Sequence, residues 1–377
     1  MHMLEHTNRV AVAKPKHPKQ SDNDEETANL WSETGTTQPG PQSRATVAEE
    51  LEVFPGCRAP LTTAPLALTV LKVLLGTVLV PLRIVLFVCV TTLFWLSVKV
   101  LVIGHKKDGA LRGWRWACID AVARTTSRAL LLCCGYHWIH RSGRPADRET
   151  PTSHLPTLVS NHQSWTDPFA IMAMGHGCYG FLAMAELRKA PVLGVAARAV
   201  DGVFVDRTSE ASRAAAAEAL KRRMQDTSQS RVVVFPEAGT SDGSCLLQFR
   251  KGAFRPGLPL QPCLIRYPHR WYNQSWDSQS IWSHVFNILS SPHNRVSITF
   301  MPVYHPSPAE QADPALYADN LRKSMCEEWR RVYGCDIRES SLSMTEKRIY
   351  QKYRDGVYDW GECLRRLETQ QVERGGK

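Results

Sequence analysis

Apolar residues crowd one stretch of this chain and alternate with polar ones beyond it. From Leu66 to Gly104 the apolar run is interrupted only by Lys72, Pro81, Arg83 and Lys99. Its second half, Ile84 to Val98, is uncharged. With Val100–Ile103 added and Lys99 reaching outward, it is long enough to span a bilayer. The first half, Leu66–Val80, is shorter and holds Lys72. It reads as a second span or as one arm of a hairpin that enters and leaves the same face, with Pro81 supplying the break. The alternative is a pair of core helices in a soluble protein. Lys106, Lys107, Arg112 and Arg115 follow the run closely, whereas only Arg58 closely precedes it, which puts the C-terminal body on the cytosolic side.

Before the apolar run, residues 1–63 are polar and aperiodic, the pattern of a disordered tail. No apolar run follows the basic residues of the first thirty positions, so no signal peptide is expected. After it, residues 105–135 contain an amphipathic pattern, Leu111 to Cys134. Arg112, Arg115, Arg124 and Arg128 surround a stripe of Trp116, Ile119, Val122 and Leu130, suited to a membrane surface or to packing on the body. From 136 to 333 short apolar runs read as strands: Thr157–Ser160, Tyr179–Met184, Val203–Val205, Val232–Phe235, Gln261–Tyr267 and Val296–Val303. Helical patterns lie between them, clearest at Ser209–Gln225, with another at Asp313–Trp329. The alternation predicts an α/β domain, a mixed sheet flanked by helices, behind an N-terminal membrane-embedded helical segment. Residues 334–377 read as a polar, helical tail.

Composition changes this picture in two respects. The 377 residues carry a net charge of +10, yet residues 1–60 hold six basic and nine acidic side chains. The rest therefore carries +13, which suits anionic partners such as phosphorylated small molecules, a membrane surface or nucleic acid. No zinc, RRM-like or helix-turn-helix signature accompanies the charge, so nucleic acid is set aside. The eleven cysteines are scattered without Cys-x-x-Cys or Cys/His ligand spacing, as expected of reduced thiols in a cytosol-facing protein without structural zinc.

Four segments could carry chemistry. In Leu158–Phe169 a strand ends in Asn161-His162, and Asp167 follows five residues after the histidine, just before Pro168. Asp-Pro ahead of an apolar run is also a helix-start signal, so Asp167 is either an N-cap or a carboxylate that meets the imidazole and leaves its other nitrogen as a general base. In Arg231–Gly243 a strand ends in Pro236-Glu237 and small residues, a turn or a loop able to present N–H groups and hydroxyls to an anion. Asp201–Arg207 leaves Arg207 after a strand, as an ion-pair partner or a phosphate grip. Phe249–Phe254 adds Arg250 and Lys251. His162, Arg207 and Glu237 all follow predicted strands, and ligands of open α/β sheets bind outside those strand ends.

Together these blocks resemble the glycerolipid (lysophospholipid) acyltransferases, and within them the lysophosphatidylcholine acyltransferase branch. His162-Gln-Ser-Trp-Thr-Asp167 matches the His-x4-Asp block, Gly202–Arg207 the second, Phe235-Pro-Glu-Ala-Gly-Thr240 the third and Gln261–Pro268 the fourth. Phe249–Phe254, Ile265–Pro268, Phe300–Tyr304 and Pro314–Ala318 suggest the branch. Two positions depart from the pattern. Ala238 stands where the family has Gly, with Thr240 one place late, and Gly202 sits one residue nearer its Phe. The resemblance implies acyl transfer from acyl-CoA, as co-substrate and with no separate cofactor, to the free hydroxyl of a lysophospholipid. His162 would be the base and Asp167 its partner, with Asn161, Arg207, Glu237, Gly239, Thr240 and Arg250 at the substrates. Lysophosphatidylcholine is the expected acceptor, with lysophosphatidate, glycerol 3-phosphate or lysophosphatidylethanolamine as alternatives. A catalytically silent membrane lipid-binding protein is the alternative of another class. The expected location is the endoplasmic reticulum membrane. No EF-hand loop occurs in residues 335–377, so no calcium or other metal site is expected; the oligomeric state is left open.

Overall fold

The computed structural model describes residues 65–104, 113–146, 156–175, 179–184, 202–205, 210–225, 231–269, 272–276, 280–354 and 357–375. The tail at 1–63, the basic positions Lys106, Lys107 and Arg112, and Arg207 lie outside them.

The apolar run forms one helix, α1 (Leu66–Leu101), with Pro81 inside it. This corrects the expected break. Proline removes a single N–H, whereas every other backbone group of an apolar stretch finds its partner only within a helix. Both halves of α1 are also tied to the same element. At 36 residues the helix is about 54 Å long, and it is long and apolar enough to cross a membrane.

The second helix, α2 (Gly113–Cys133), packs its stripe inward, with Ile119, Ala123, Leu130 and Leu131 buried. Arg128 donates to the carbonyls of Tyr136 (2.9 Å) and His137 (2.8 Å), satisfying the chain just beyond the helix end.

There follow β1 (Trp138–Ser142), β2 (Thr157–Ser160), α3 (Asp167–Met174), β3 (Tyr179–Met184), β4 (Val203–Val205), α4 (Glu210–Gln225), β5 (Arg231–Val234), β6 (Cys245–Leu246) and β7 (Leu260–Arg266). The remainder is α5 (Ile281–Ser290), β8 (Arg295–Phe300), α6 (Pro308–Ala312), α7 (Pro314–Tyr333), β9 (Arg338–Glu339), α8 (Met344–Arg354) and α9 (Trp360–Gly375). Seven strands form one sheet in the order β1-β8-β7-β2-β5-β3-β4, parallel except where β8 runs against β7. The α/β expectation and the six predicted strands are observed to within a few residues. The edge strand β1 and the short pair β6–β9 were not anticipated, because a solvated edge strand and a two-residue strand leave little apolar signal.

Burial on both faces explains why the central strands read as continuous apolar runs. Leu158, Val233, Cys263 and Ile265 face a core closed by α1, α2, α3 and α5. Val159, Val232, Val234 and Leu264 face the opposite core, where Leu220 and Met224 of α4 and Tyr317, Leu321 and Trp329 of α7 lie. The period of two places successive residues on opposite cores.

The long helix α1 meets α5 through its charged residues. Lys72 Nζ donates to Asn287 Oδ1 at 3.0 Å and stands 3.5 Å over the Tyr272 ring. Arg83 donates to the carbonyls of Leu289 (2.8 Å), Ser291 (2.6 Å) and Pro292 (3.1 Å), groups a helix C-terminus leaves without partners. Between them a Cβ at Gly76 would come within 3.0 Å of Ser290 Cβ, so the small residue suits the close crossing.

Candidate active site

Topology brings the candidate residues together. Strand β2 pairs in parallel with both β5 and β7, Val159 opposite Val234 and Ser160 opposite Cys263. The segments that leave these three strands therefore emerge side by side at one edge of the sheet. They carry Asn161-His162, Phe235-Pro-Glu237 and Tyr267.

Asp167 is fully buried and opens α3, with Thr166 as its N-cap residue, so the carboxylate is free of the capping role. It turns back instead. Its Oδ2 accepts from His162 Nδ1 at 2.8 Å, Gln163 N at 2.7 Å and Ser164 N at 3.0 Å. Its Oδ1 accepts from the Tyr267 hydroxyl, and Thr166 Oγ1 lies 2.8 Å from that hydroxyl. Burial and the Asp167 charge push the Tyr267 phenol well above its ordinary range, so it stays a donor. An oxygen receiving two backbone N–H groups acts as an acceptor, so Nδ1 is the donor in this contact, which leaves Nε2 on the other edge of the ring. The imidazole stacks on Phe235 with ring centroids 4.2 Å apart, and the side chain retains 20% exposure while Asp167 has none. The arrangement is a fixed, partly exposed imidazole backed by a dry carboxylate.

The segment after β5 grips the backbone of that histidine on both sides. Glu237 Oε1 accepts His162 N at 2.9 Å, and Ser241 N donates to His162 O at 2.9 Å. Glu237 Oε2 accepts Leu247 N at 3.1 Å. Glu237 is fully buried, and burial pushes its carboxyl up to about 7 against the opposing pull of the two N–H groups, His162 and Lys347. Both oxygens are thus occupied inside the protein. Asn161 is bonded within the protein too. Its Oδ1 accepts Ile265 N at 2.8 Å and its Nδ2 donates to Ile265 O at 2.9 Å, bridging β2 to β7. Ala238 and Gly239 sit half-buried on the turn, Ala238 with φ of 63°, and Thr240 beside them accepts from Lys347 Nζ at 3.4 Å. Arg250 is exposed, its backbone N–H on Pro236 O at 2.9 Å. Strand β4, which precedes Arg207, lies three places from β2.

Sequence reasoning missed four participants. Tyr267 and Phe235 lay within segments already singled out, but a buried aromatic carries no sign that it will touch a carboxylate or an imidazole. Met344 and Lys347 come from the tail, and nothing in the local pattern points to them. Among the described residues no group of three or more His, Cys, Asp or Glu converges as a metal site requires.

Residues 147–266 match the family model described as Acyltransferase. The matched stretch contains all eight candidate residues. Among curated proteins the chain is similar to Lysophospholipid acyltransferase LPEAT2 of Arabidopsis thaliana, 34% identical over 226 residues, covering 60% of this chain and 41% of that protein. It is similar to Lysophosphatidylcholine acyltransferase 1 of Danio rerio, 32% identical over 262 residues, covering 68% and 49%. Lysophospholipid acyltransferase LPEAT1 of Arabidopsis thaliana is 27% identical, with 74% of this chain and 79% of that protein covered. The chain thus spans about half or less of the length of the first two relatives. Among solved structures, the 1-acyl-sn-glycerophosphate (LPA) acyltransferase PlsC of Thermotoga maritima superposes with a TM-score of 0.42 at 19% identity, over 66% of this chain and 98% of that one.

Proposed function

We propose that this protein transfers an acyl group from acyl-CoA to the free hydroxyl of a lysophospholipid, with lysophosphatidylcholine as acceptor, at the cytosolic face of the endoplasmic reticulum membrane. The observation that carries this is the His162–Asp167 pair, 2.8 Å apart, with one imidazole nitrogen pinned and the other left for a substrate proton. The family-model match around it, the names of the relatives and the apolar helix α1 support the substrate class.

In this reading Nε2 takes the hydroxyl proton as the acceptor oxygen attacks the thioester carbonyl. The C–O bond forms, the C–S bond breaks, and the imidazolium returns its proton to the departing CoA thiolate. Asp167, held by two N–H groups and Tyr267, stabilises the imidazolium without moving. The thioester is already activated, so the transfer needs no acyl-enzyme and no separate cofactor. Arg250 and Arg207 are the cations offered to the phosphates of the substrates.

The test is thiol release from acyl-CoA by the detergent-solubilised protein with a panel of lysophospholipids. His162→Ala is expected to lower turnover by roughly 10³-fold with its fold intact. Equal thiol release by His162→Ala, or none by the wild type with any acceptor, would sink the reading.

A further inference from the structure

The tail at 334–377 does not trail away from the domain. Strand β9 pairs with β6, and Gln248 N donates to Leu342 O at 3.1 Å, which returns the chain to the segment after β5. Helix α8 then begins against the 237–241 turn. Its first residue, Met344, is buried, and a Cβ at Gly239 would lie 2.7 Å from Met344 Cε and 2.9 Å from its sulfur. One turn further on, Lys347 is 1% exposed and places Nζ 3.4 Å from the Thr240 carbonyl.

A lysine ammonium is almost never fully buried unless something requires its charge, because desolvation costs several kcal/mol. Among its contacts is the turn whose two ends, Glu237 and Ser241, hold the N–H and the C=O of His162. From the geometry we infer that Lys347 is a positioning residue: carried in from α8, it sets the 237–241 turn and, through Glu237, the backbone of His162. The inference rests on the acyltransferase reading for its catalytic consequence, though not for its structural one.

The charges around the Glu237 carboxyl support it. His162 faces it from the segment after β2, Lys347 from α8, the Cys245 thiol from β6 and the Cys326 thiol from α7, with Asp242 further along its own loop. Lys347 and His162 favour the charged carboxylate, while burial opposes it. The ionised form is the one whose two oxygens can accept from His162 and Leu247 at once. Without Lys347 the carboxyl would hold its proton to higher pH, and one of those N–H groups would lose its acceptor.

Hydrogen exchange at pH 8, on the full chain in detergent, reads this without any turnover. In Lys347→Met the amides of His162 and Leu247 should exchange about tenfold faster than in wild type, since a hydrogen bond to a charged group is being lost. Lys347→Arg should restore the wild-type rates, and the amides of β8 should not change. If Lys347→Met does not fold, Lys347→Gln, which keeps a donor for Thr240, should show the same selective effect at smaller size. Unchanged rates at His162 and Leu247, or equal acceleration in β8, would overturn the proposal. In the thiol-release assay the acidic limb of the pH profile should move to higher pH in Lys347→Met and return in Lys347→Arg. A wild type that releases no thiol removes the acyltransferase reading while the exchange rates still judge Lys347.

Discussion

Ala238 is the non-glycine residue with positive φ among the described residues, at 63°. That conformation brings Cβ against the backbone and costs an L-residue about 1–2 kcal/mol. The glycine next to it does not relieve the strain, since Gly239 is taken up by the approach of Met344. The two residues therefore have separate reasons to be small, one conformational and one steric. Replacing Ala238 by Gly is expected to raise the unfolding free energy by about 0.5–1 kcal/mol, after the entropy cost of the added glycine. Replacing Gly239 by Ala is expected to lower it, because buried Met344 must move. Urea unfolding in detergent decides both, and a loss of stability in Ala238→Gly would refute the strain argument.

At the scale of elements, α1 is anchored by what its composition makes conspicuous. The charges that interrupt the apolar run do not flank a span in this structure. Lys72 and Arg83 lie on the α5 side of the helix, which leaves Leu74, Val78, Leu82 and Val85 exposed. Arg83 serves three carbonyls at the end of α5. Arg83→Leu preserves the apolar character of α1 and leaves those acceptors without their donor. It should destabilise the domain by roughly 2–3 kcal/mol, the penalty for removing charged hydrogen bonds from a buried site. A loss of unfolding free energy smaller than about 0.5 kcal/mol would mean that water or lipid replaces the guanidinium. The helix α3 illustrates the same dependence on surroundings. Its Asp-Pro start signal predicted its first turn correctly, while the carboxylate was put to a use that the signal does not report.

For the whole molecule, the buried carboxyl of Glu237 ties folding to pH. Its pKa in the folded chain is raised to about 7, above an ordinary value of 4.5. Between those values the folded state holds a proton that the unfolded state has released. Glu237 therefore contributes stability that is present in full below about 4.5 and lost as pH rises through about 7. Relative to Glu237→Gln, which cannot ionise, the wild type should lose on the order of 3 kcal/mol between pH 4.5 and pH 8. Urea midpoints measured for both proteins across that range test the sign, and parallel curves would contradict it.

What could be read from the order of residues was whatever depends on neighbours along the chain. The α/β class, the six predicted strands and the apolar character of the 66–101 segment follow from periods of two and 3.6 and from unbroken apolar runs, whereas the five-residue spacing left Asp167 open between a helix cap and a partner for His162. Contacts across the sheet were not legible. That Glu237 and Asn161 turn inward follows from parallel pairing of β2 with β5 and β7, which sets each side chain opposite a backbone group of a strand distant in sequence. That Pro81 fails to break α1 and that Lys347 reaches the 237–241 turn are decided in the same way, by packing that no local pattern encodes. Sequence specifies the elements through short-range sterics and polarity; the hydrogen-bond demands of buried polar groups are met only when the folded chain brings distant partners within 3 Å or so of one another.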